Sequence, residues 1–382
     1  MAIEKLPAPV LITRQAALQR LADTLRGEKI IAVDTESNSL YAYQEQVCLI
    51  QFTARGIDYL VDPLALDDLS PLAPVFSDPA IEKVFHAAEY DLICLKRDFG
   101  YTFNNLFDTM VAARILGREL YGLGAILEEE FGVQVDKRYQ RANWGQRPLP
   151  PELLAYARLD THFLIPLRNR FMKQLQEEGK WPLAQEDFRR LTELNGYNGR
   201  ENNNHTAACW RVSGSYDLTP QQAAVLLELC KYRDEAAQQL NRPLFKVIND
   251  RTLLIIASEM PRQLRDLEHI PGMTRRQIER HGMALLAAVQ RGLNAEPIHP
   301  PRTQRPSEQY LERLDALRQW RKQTAERLGV KSDVILPRDL MTAIAERNPH
   351  NLQELEGVLK EVPWRFSQFG QEILEAMKRA HE

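Results

Sequence analysis

The sequence predicts an α/β unit with a mixed sheet, followed by two all-helical units. Three observations predict it. Short apolar runs precede and then interleave with helical patterns in the N-terminal part. Two stretches read as linkers: residues 195–205 (NGYNGRENNNH), rich in Asn and Gly, and residues 296–306 (EPIHPPRTQRP), whose prolines bar a helix interior. The two stretches after the first linker align with each other without a gap at a shift of 88 positions, which marks a duplication.

The elements follow in order. Residues 30–34 (IIAVD) are a short apolar run and read as a buried strand. Residues 47–53 and 57–61 read as two further strands, joined by a turn at Arg55-Gly56. Helical patterns occupy 88–99, 109–116, 123–131 and 153–176. Asp108 stands just ahead of the second of these, where a side-chain oxygen can cap free helix N–H groups. In the first repeat, 218–240 has helical spacing, with Thr219 as N-cap and Pro220 in the first turn. Shorter helices are expected at 250–258 and 262–268, and a longer one at 275–291. The second repeat copies this plan: Arg233 falls on Arg321, Leu240 on Leu328, Pro261 on Pro349 and Gly282 on Gly370. The expected domains are 1–200, 206–295 and 305–382.

Composition sets outer limits. Of 382 residues, 44% are hydrophobic and 26% charged, which suits a folded chain and excludes wholesale disorder. No apolar run reaches the ~18 residues of a membrane span. The N-terminal residues lack a basic stretch followed by an apolar one, so no secretory signal is expected. The four cysteines, Cys48, Cys94, Cys209 and Cys230, show no C-x-x-C pairing and read as reduced thiols of a cytoplasmic protein. The net charge is −3 and the pI about 6.3. That average conceals a division. Residues 1–204 hold 23 basic and 29 acidic residues, whereas the rest holds 26 and 23.

The chemistry gathers on acidic residues. Asp34 and Glu36 lie two apart at the end of a buried strand, so they share a face. Like charges placed there are costly unless a cation lies between them, and hard oxygen donors favour Mg²⁺ or Mn²⁺. The alternative is a strand end with solvated acids. Asp91 follows the apolar Val84-Phe85, with His86 between them as either a site residue or a partly buried core histidine. Tyr156 and Asp160 stand four apart and would share one helix face. Between 137 and 147, Lys137, Arg138, Arg141, Trp144 and Arg147 form a basic stretch with one aromatic. It suits phosphates and a stacked base, or a solvated loop whose Trp joins the core. Arg275, Arg276, Arg280 and Arg291 cluster in the first repeat, and Arg318, Arg321, Lys322 and Arg327 in the second. With acids interleaved, these are solvated faces or RNA contacts.

Together these residues resemble the tyrosine-bearing branch of the DEDD exonucleases. The acids Asp34, Glu36, Asp91 and Asp160, with Tyr156, match its three motifs. Val47-Cys-Leu-Ile-Gln51, His86-Ala-Ala-Glu-Tyr-Asp-Leu92, Phe107-Asp-Thr-Met-Val-Ala-Ala-Arg114, Trp144-Gly145 and Arg147-Pro148-Leu149 are similar to the ribonuclease D family. The repeats resemble HRDC domains. One position departs: Ser37 stands where that family usually has a bulky aromatic.

The resemblance implies a ribonuclease H-like fold and a 3′–5′ exoribonuclease that uses two Mg²⁺ or Mn²⁺ ions and releases nucleoside 5′-monophosphates. It implies that Asp34, Glu36, Asp91 and Asp160 hold metal and that Tyr156 orients the attacking water. Thr35, His86, Lys137, Trp144 and Arg147 are implied to bind substrate. The expected partner is RNA with a free 3′ end, such as a tRNA precursor, and the expected state is a monomer. Two alternatives are a 3′–5′ exonuclease acting mainly on DNA and a non-catalytic nucleic-acid-binding protein. No G-x-x-x-x-G-K-[ST] loop is present, so an ATP-driven helicase is excluded.

Overall fold

The computed structural model describes residues 6–194, 209–299 and 306–379. All of the first predicted linker and about half of the second lie outside these residues. The described chain forms two compact units. One holds residues 6–37, residues 47–194 and the second helical repeat. The other holds Asn38–Gln46 and the first repeat.

The first unit is built on a six-stranded mixed sheet. Its strands are β1 (Val10–Ile12), β2 (Ile30–Ser37), β3 (Val47–Ala54), β4 (Ile57–Val61), β5 (Glu82–Phe85) and β6 (Leu106–Asp108), in spatial order β1-β4-β3-β2-β5-β6. β2 pairs antiparallel with β3 and parallel with β5, so it lies inside the sheet. Burial on both faces explains its unbroken apolar run, as Ile31, Ala32 and Val33 are all fully buried. β1 and β6, of three residues each, are too short to give a period and were not expected from the sequence.

Helices cover the sheet: α1 (Gln15–Arg26), α2 (Ala73–Ser77), α3 (Glu89–Phe99), α4 (Thr109–Ile115), α5 (Leu123–Phe131), α6 (Pro151–Ala157), α7 (Leu159–His162), α8 (Leu164–Glu177) and α9 (Trp181–Glu193). The single helix expected over 153–176 is instead three segments. Pro166 has no N–H for the carbonyl of His162, so a continuous helix fails there. In the first turn of a new helix, where N–H groups have no intrahelical partner, the same proline fits.

The two repeats keep the register of 88. The first has α10 (Pro220–Leu240), α11 (Leu244–Val247), α12 (Asp250–Glu259), α13 (Leu264–Leu267) and α14 (Arg275–Asn294). The second has α15 (Glu308–Leu328), α16 (Ser332–Ile335), α17 (Arg338–Arg347), α18 (Leu352–Val358) and α19 (Pro363–Arg379). Every helix of one starts 88 positions from its counterpart. Thr219 caps α10 in a capping box with Gln222. Equivalent arginines bind equivalent carbonyls: Arg233 donates to Ile248 O at 3.2 Å and Arg321 to Leu336 O at 3.0 Å.

The second repeat packs on the sheet domain. Val334 belongs to the same apolar core as β2 and β5, with Val330 and Trp364 against it. Arg365, 1% exposed, pairs with Glu186 at 3.1 Å and Asp187 at 2.8 Å, both on α9. In the second unit, Tyr43 from the β2–β3 connection packs into the core of the first repeat. Its hydroxyl donates to Asp234 at 2.9 Å, and its N–H donates to Asn241 Oδ1 at 3.1 Å.

The expectation of four reduced thiols is corrected. Cys209 and Cys230 form a disulfide within the first repeat, 21 residues apart in sequence, while Cys48 and Cys94 are free and buried. Sequence spacing carries no signal for this bond, because Cys230 reaches its partner only through the folding of α10. Among the described residues, no helix is long and apolar enough to cross a membrane.

Candidate active site

β2 carries Asp34 and Glu36 out of the buried part of the sheet on one face. Asp34 lies opposite Gln51 of β3, and Gln51 Nε2 donates to Asp34 Oδ2 at 3.4 Å. The ladder with β3 then slips between Glu36 and Ser37, which ends regular pairing just past the second acid. Asp160, in the first turn of α7, completes a cluster with them. One carboxylate oxygen from each of Asp34, Glu36 and Asp160 lies within 4.8 Å of the others.

The acids disturb one another. Burial, then Asp91, Asp160 and Glu36, push Asp34 well above the usual carboxylate range. Glu36 is raised by burial, Asp160 and Asp91. Asp160 rises to about 8, through burial and Asp91. Three partly buried carboxylates that resist ionising together are a donor set that a hard divalent cation suits, since its charge removes the repulsion. Gln51 is fully buried, and its Oε1 has no hydrogen-bond partner.

The fourth acid is tied differently. Asp91, in the first turn of α3 and 7% exposed, accepts a short hydrogen bond from Thr35 Oγ1. Burial raises it to about 7, against the lowering effect of that bond. Thr35 was expected at the substrate; the structure places its hydroxyl on Asp91. Asp91 is electrostatically part of the cluster but is not among the three carboxylates within 4.8 Å.

Tyr156 closes the site from α6. It is 7% exposed and packs against Tyr139 and Trp144, with ring centroids 5.7 and 6.2 Å away. Burial and then Asp160, Glu36 and Asp34 push its hydroxyl further above the ordinary phenol value, although a hydrogen bond with Gln140 acts the other way. Tyr156 and Asp160 lie on separate helical segments, yet both face the acids.

His86 lies beyond β5 and is half-buried. Its Nδ1 is 2.9 Å from Thr109 Oγ1, which itself donates to Phe85 O at 3.0 Å. The Thr109 proton is therefore engaged, so Nδ1 is the donor and Nε2 is left bare. Burial lowers the His86 pKa and favours this neutral ring. Asp108 has the capping role expected of it and a second one. It accepts from Met110 N and Val111 N at the start of α4, and from Ala87 N and Ala88 N after His86. These bonds hold Ala87 at φ 62°, a left-handed conformation that costs a β-carbon-bearing residue about 1 kcal/mol.

Two expected substrate contacts are scaffold instead. Trp144 is 1% exposed in an apolar cluster with Cys48, Leu49 and Tyr156, so neither face of its ring is open to a base. Arg147 grips Asp62 through two bonds of 2.7 Å and donates to the carbonyls of Trp144 and Cys48. A guanidinium so engaged braces the loop. Lys137 opens the 3₁₀ segment Lys137–Arg141, and its side chain lies outside the described ones. Sequence reasoning gives no role to Gln51, Thr109 or Gln140. A polar residue on a strand as buried as β3 is the signal that points to Gln51.

A model of the 3′–5′ exonuclease family matches residues 9–176, and a model of the HRDC domain matches 222–289 and 311–377. Ribonuclease D of Granulibacter bethesdensis is 30% identical over 75% of this chain and 72% of its own length. The chain belongs to the ribonuclease D family. Ribonuclease D of Pseudomonas paraeruginosa is 29% identical over 97% of both chains. The crystal structure of Escherichia coli RNase D, described as an exoribonuclease involved in structured RNA processing, superposes with a TM-score of 0.68. It shares 26% identity over 92% of this chain and 99% of that one. RRP6-like proteins 1, 2 and 3 of Arabidopsis thaliana are longer, and this chain spans 47%, 33% and 20% of them. Exonucleases of this kind use divalent metals, which the donor set fits.

Proposed function

We propose that this protein is a metal-dependent 3′–5′ exoribonuclease that trims the ends of structured RNA, including tRNA precursors. The observation that carries the reading is the cluster of Asp34, Glu36 and Asp160, whose carboxylates lie within 4.8 Å and resist ionising together. Asp34, Glu36 and Asp160 would hold one divalent ion, with Asp91 supporting a second beside Asp34; Mg²⁺ and Mn²⁺ both suit oxygen donors. Such ions supply Lewis-acid stabilisation of the phosphodiester and a nucleophile available at neutral pH. The protein groups then do the positioning. Tyr156, kept protonated by burial and by the acids, offers a hydroxyl to orient the attacking water. Gln51 holds the Asp34 carboxylate, and Thr35 holds Asp91. Neutral His86, with Nδ1–H engaged, presents an acceptor at Nε2 to a ribose hydroxyl.

The test is side-by-side digestion of 3′-labelled RNA and DNA with Mg²⁺, Mn²⁺ or EDTA. Metal-dependent shortening of RNA from its 3′ end is expected, lost in Asp34→Ala and slowed at least 100-fold in Tyr156→Phe. Preferential digestion of DNA, or unchanged turnover in Asp34→Ala, overturns the reading.

A further inference from the structure

Asp160 reaches the other acids from a segment with little stability of its own. α7 runs only from Leu159 to His162. A single helical turn does not sustain itself, because ordering it fixes several dihedrals for very few hydrogen bonds. The acids also oppose its approach. Burial, then Asp91 and Asp160, raise Asp34, and burial, then Asp160, raise Glu36, so Asp160 is repelled whenever no cation lies between them. Something outside the cluster must keep α7 against β2.

The residues that follow Asp160 supply that hold. Thr53 of β3 lies opposite Ala32 of β2 and Asp58 of β4. Directly opposed residues share a face, so Thr53 and Asp58 stand on the side of the sheet that carries Asp34 and Glu36. Thr161 Oγ1 is 2.7 Å from Thr53 Oγ1, which is 2.8 Å from Asp58 Oδ1. His162 Nδ1 meets both oxygens of the same carboxylate, at 3.0 and 2.9 Å. A carboxylate only accepts. Thr53 and His162 Nδ1–H therefore donate to Asp58, and Thr161 donates to Thr53. Thr53, Asp58 and Thr161 are buried, where water competes little for such bonds. Three consecutive residues thus address three neighbouring strands: Asp160 the acids of β2, Thr161 β3 and His162 β4. Arg158, just ahead of the turn, adds a bond to Pro7 O at 2.5 Å, shortly before β1. The cleavage chemistry described above makes no use of Asp58 or His162.

We propose that Asp58 and His162, linked through Thr53 and Thr161, are positioning residues for metal binding. They clamp α7 so that the Asp160 carboxylate stays beside those of Asp34 and Glu36. The assignment rests on the metal-dependent reading above and deepens it, by naming what holds one ligand in place. Losing a partner that orients a metal ligand typically weakens affinity or activity about 10–100-fold.

The experiment uses the full chain and Mn²⁺ alone. Binding is read from loss of the free-ion EPR signal at neutral pH, below the Tm of each variant. His162→Ala should weaken Mn²⁺ binding at least tenfold, and in RNA digestion it should lower kcat while leaving KM for RNA near the wild-type value. His162→Asn should stay within about threefold of wild type, because its Nδ2–H can donate to Asp58 as Nδ1–H does. Should His162→Ala fail to fold, Thr53→Val carries the test. It keeps the volume, removes both hydroxyl bonds of the chain and should also weaken Mn²⁺ binding about tenfold. If the wild type binds Mn²⁺ and the folded variants bind it equally well, the clamp alone is overturned. A Tm lowered in EDTA with unchanged affinity would leave only a packing role and overturn it too. An Asn variant as weak as the Ala variant would place the effect in ring packing and overturn the hydrogen-bonded clamp. A wild type that binds no Mn²⁺ overturns the metal-dependent reading and the clamp with it.

Discussion

Replacing Asp160 with Asn should inactivate the enzyme and yet stabilise the metal-free protein. Asp160 rises from an ordinary 3.8 to about 8 in the folded chain, through burial and Asp91. A carboxyl that holds its proton more tightly when folded favours folding at low pH. That advantage falls away as pH rises toward the folded value, because ionising the group costs more in the native site than in the unfolded chain. At pH 7 about three pKa units separate the two states, at 1.36 kcal/mol each, or about 4 kcal/mol. Asn keeps the shape and carries no charge, so Asp160→Asn recovers this cost. For a unit of this size, that is a rise on the order of 10 °C in Tm. The difference should vanish near pH 4 and grow steadily to pH 8. Thermal unfolding in EDTA across that range measures it. Repeating the scan with Mn²⁺ should reverse the order, since the wild type gains from binding and the variant loses a ligand. A variant that melts below the wild type at pH 7 in EDTA, or a difference that ignores pH, would refute the argument.

Three further outcomes are expected. Arg365→Ala leaves Glu186 buried without its partner and should cost about 3–5 kcal/mol, read in denaturant unfolding; Arg365→Met with Glu186→Gln should cost much less. Gly292→Ala places a β-carbon 2.4 Å from Val225 Cα where α10 and α14 pack, and should lower the Tm of the full chain. Gly357→Ala, on α18 with nothing within 4 Å, should instead gain about 0.5–1 kcal/mol, so a similar Tm for the two variants would contradict the packing. Reducing the Cys209–Cys230 bond frees a 21-residue loop and should cost about 3 kcal/mol. Melting that ignores reductant, in protein whose thiols are blocked only after reduction, would count against it.

How much could be read in advance depended on the range of the interaction. The acids were legible because period two puts Asp34 and Glu36 on one face of a buried run. The repeats were legible because copies of one packing problem keep one register, and α10 and α15 start 88 positions apart as their sequences do. Asp108 announced its cap by standing before Thr109, but its hold on Ala87 and Ala88 depends on a turn 20 residues away. Trp144 and Arg147 misled for a similar reason. A loop of cations and one aromatic has the same composition whether it faces RNA or braces itself, and the choice turns on Asp62 and the Cys48 carbonyl, both remote in sequence. Pro166 was the available local clue to the broken helix.

The loop that leaves β2 has consequences for how such a chain can change over generations. Tyr43 packs, partly buried, against the core of the first repeat, with its hydroxyl and N–H bound to Asp234 and Asn241. Removing that repeat would strand an aromatic side chain two residues from Tyr41, in a segment that begins just after Glu36. A descendant that discards the repeat must therefore also shorten this loop or make it more polar, and a swapped-in repeat must bring its own socket for the tyrosine. The boundary between the two modules therefore runs through the β2–β3 connection as well as through a linker.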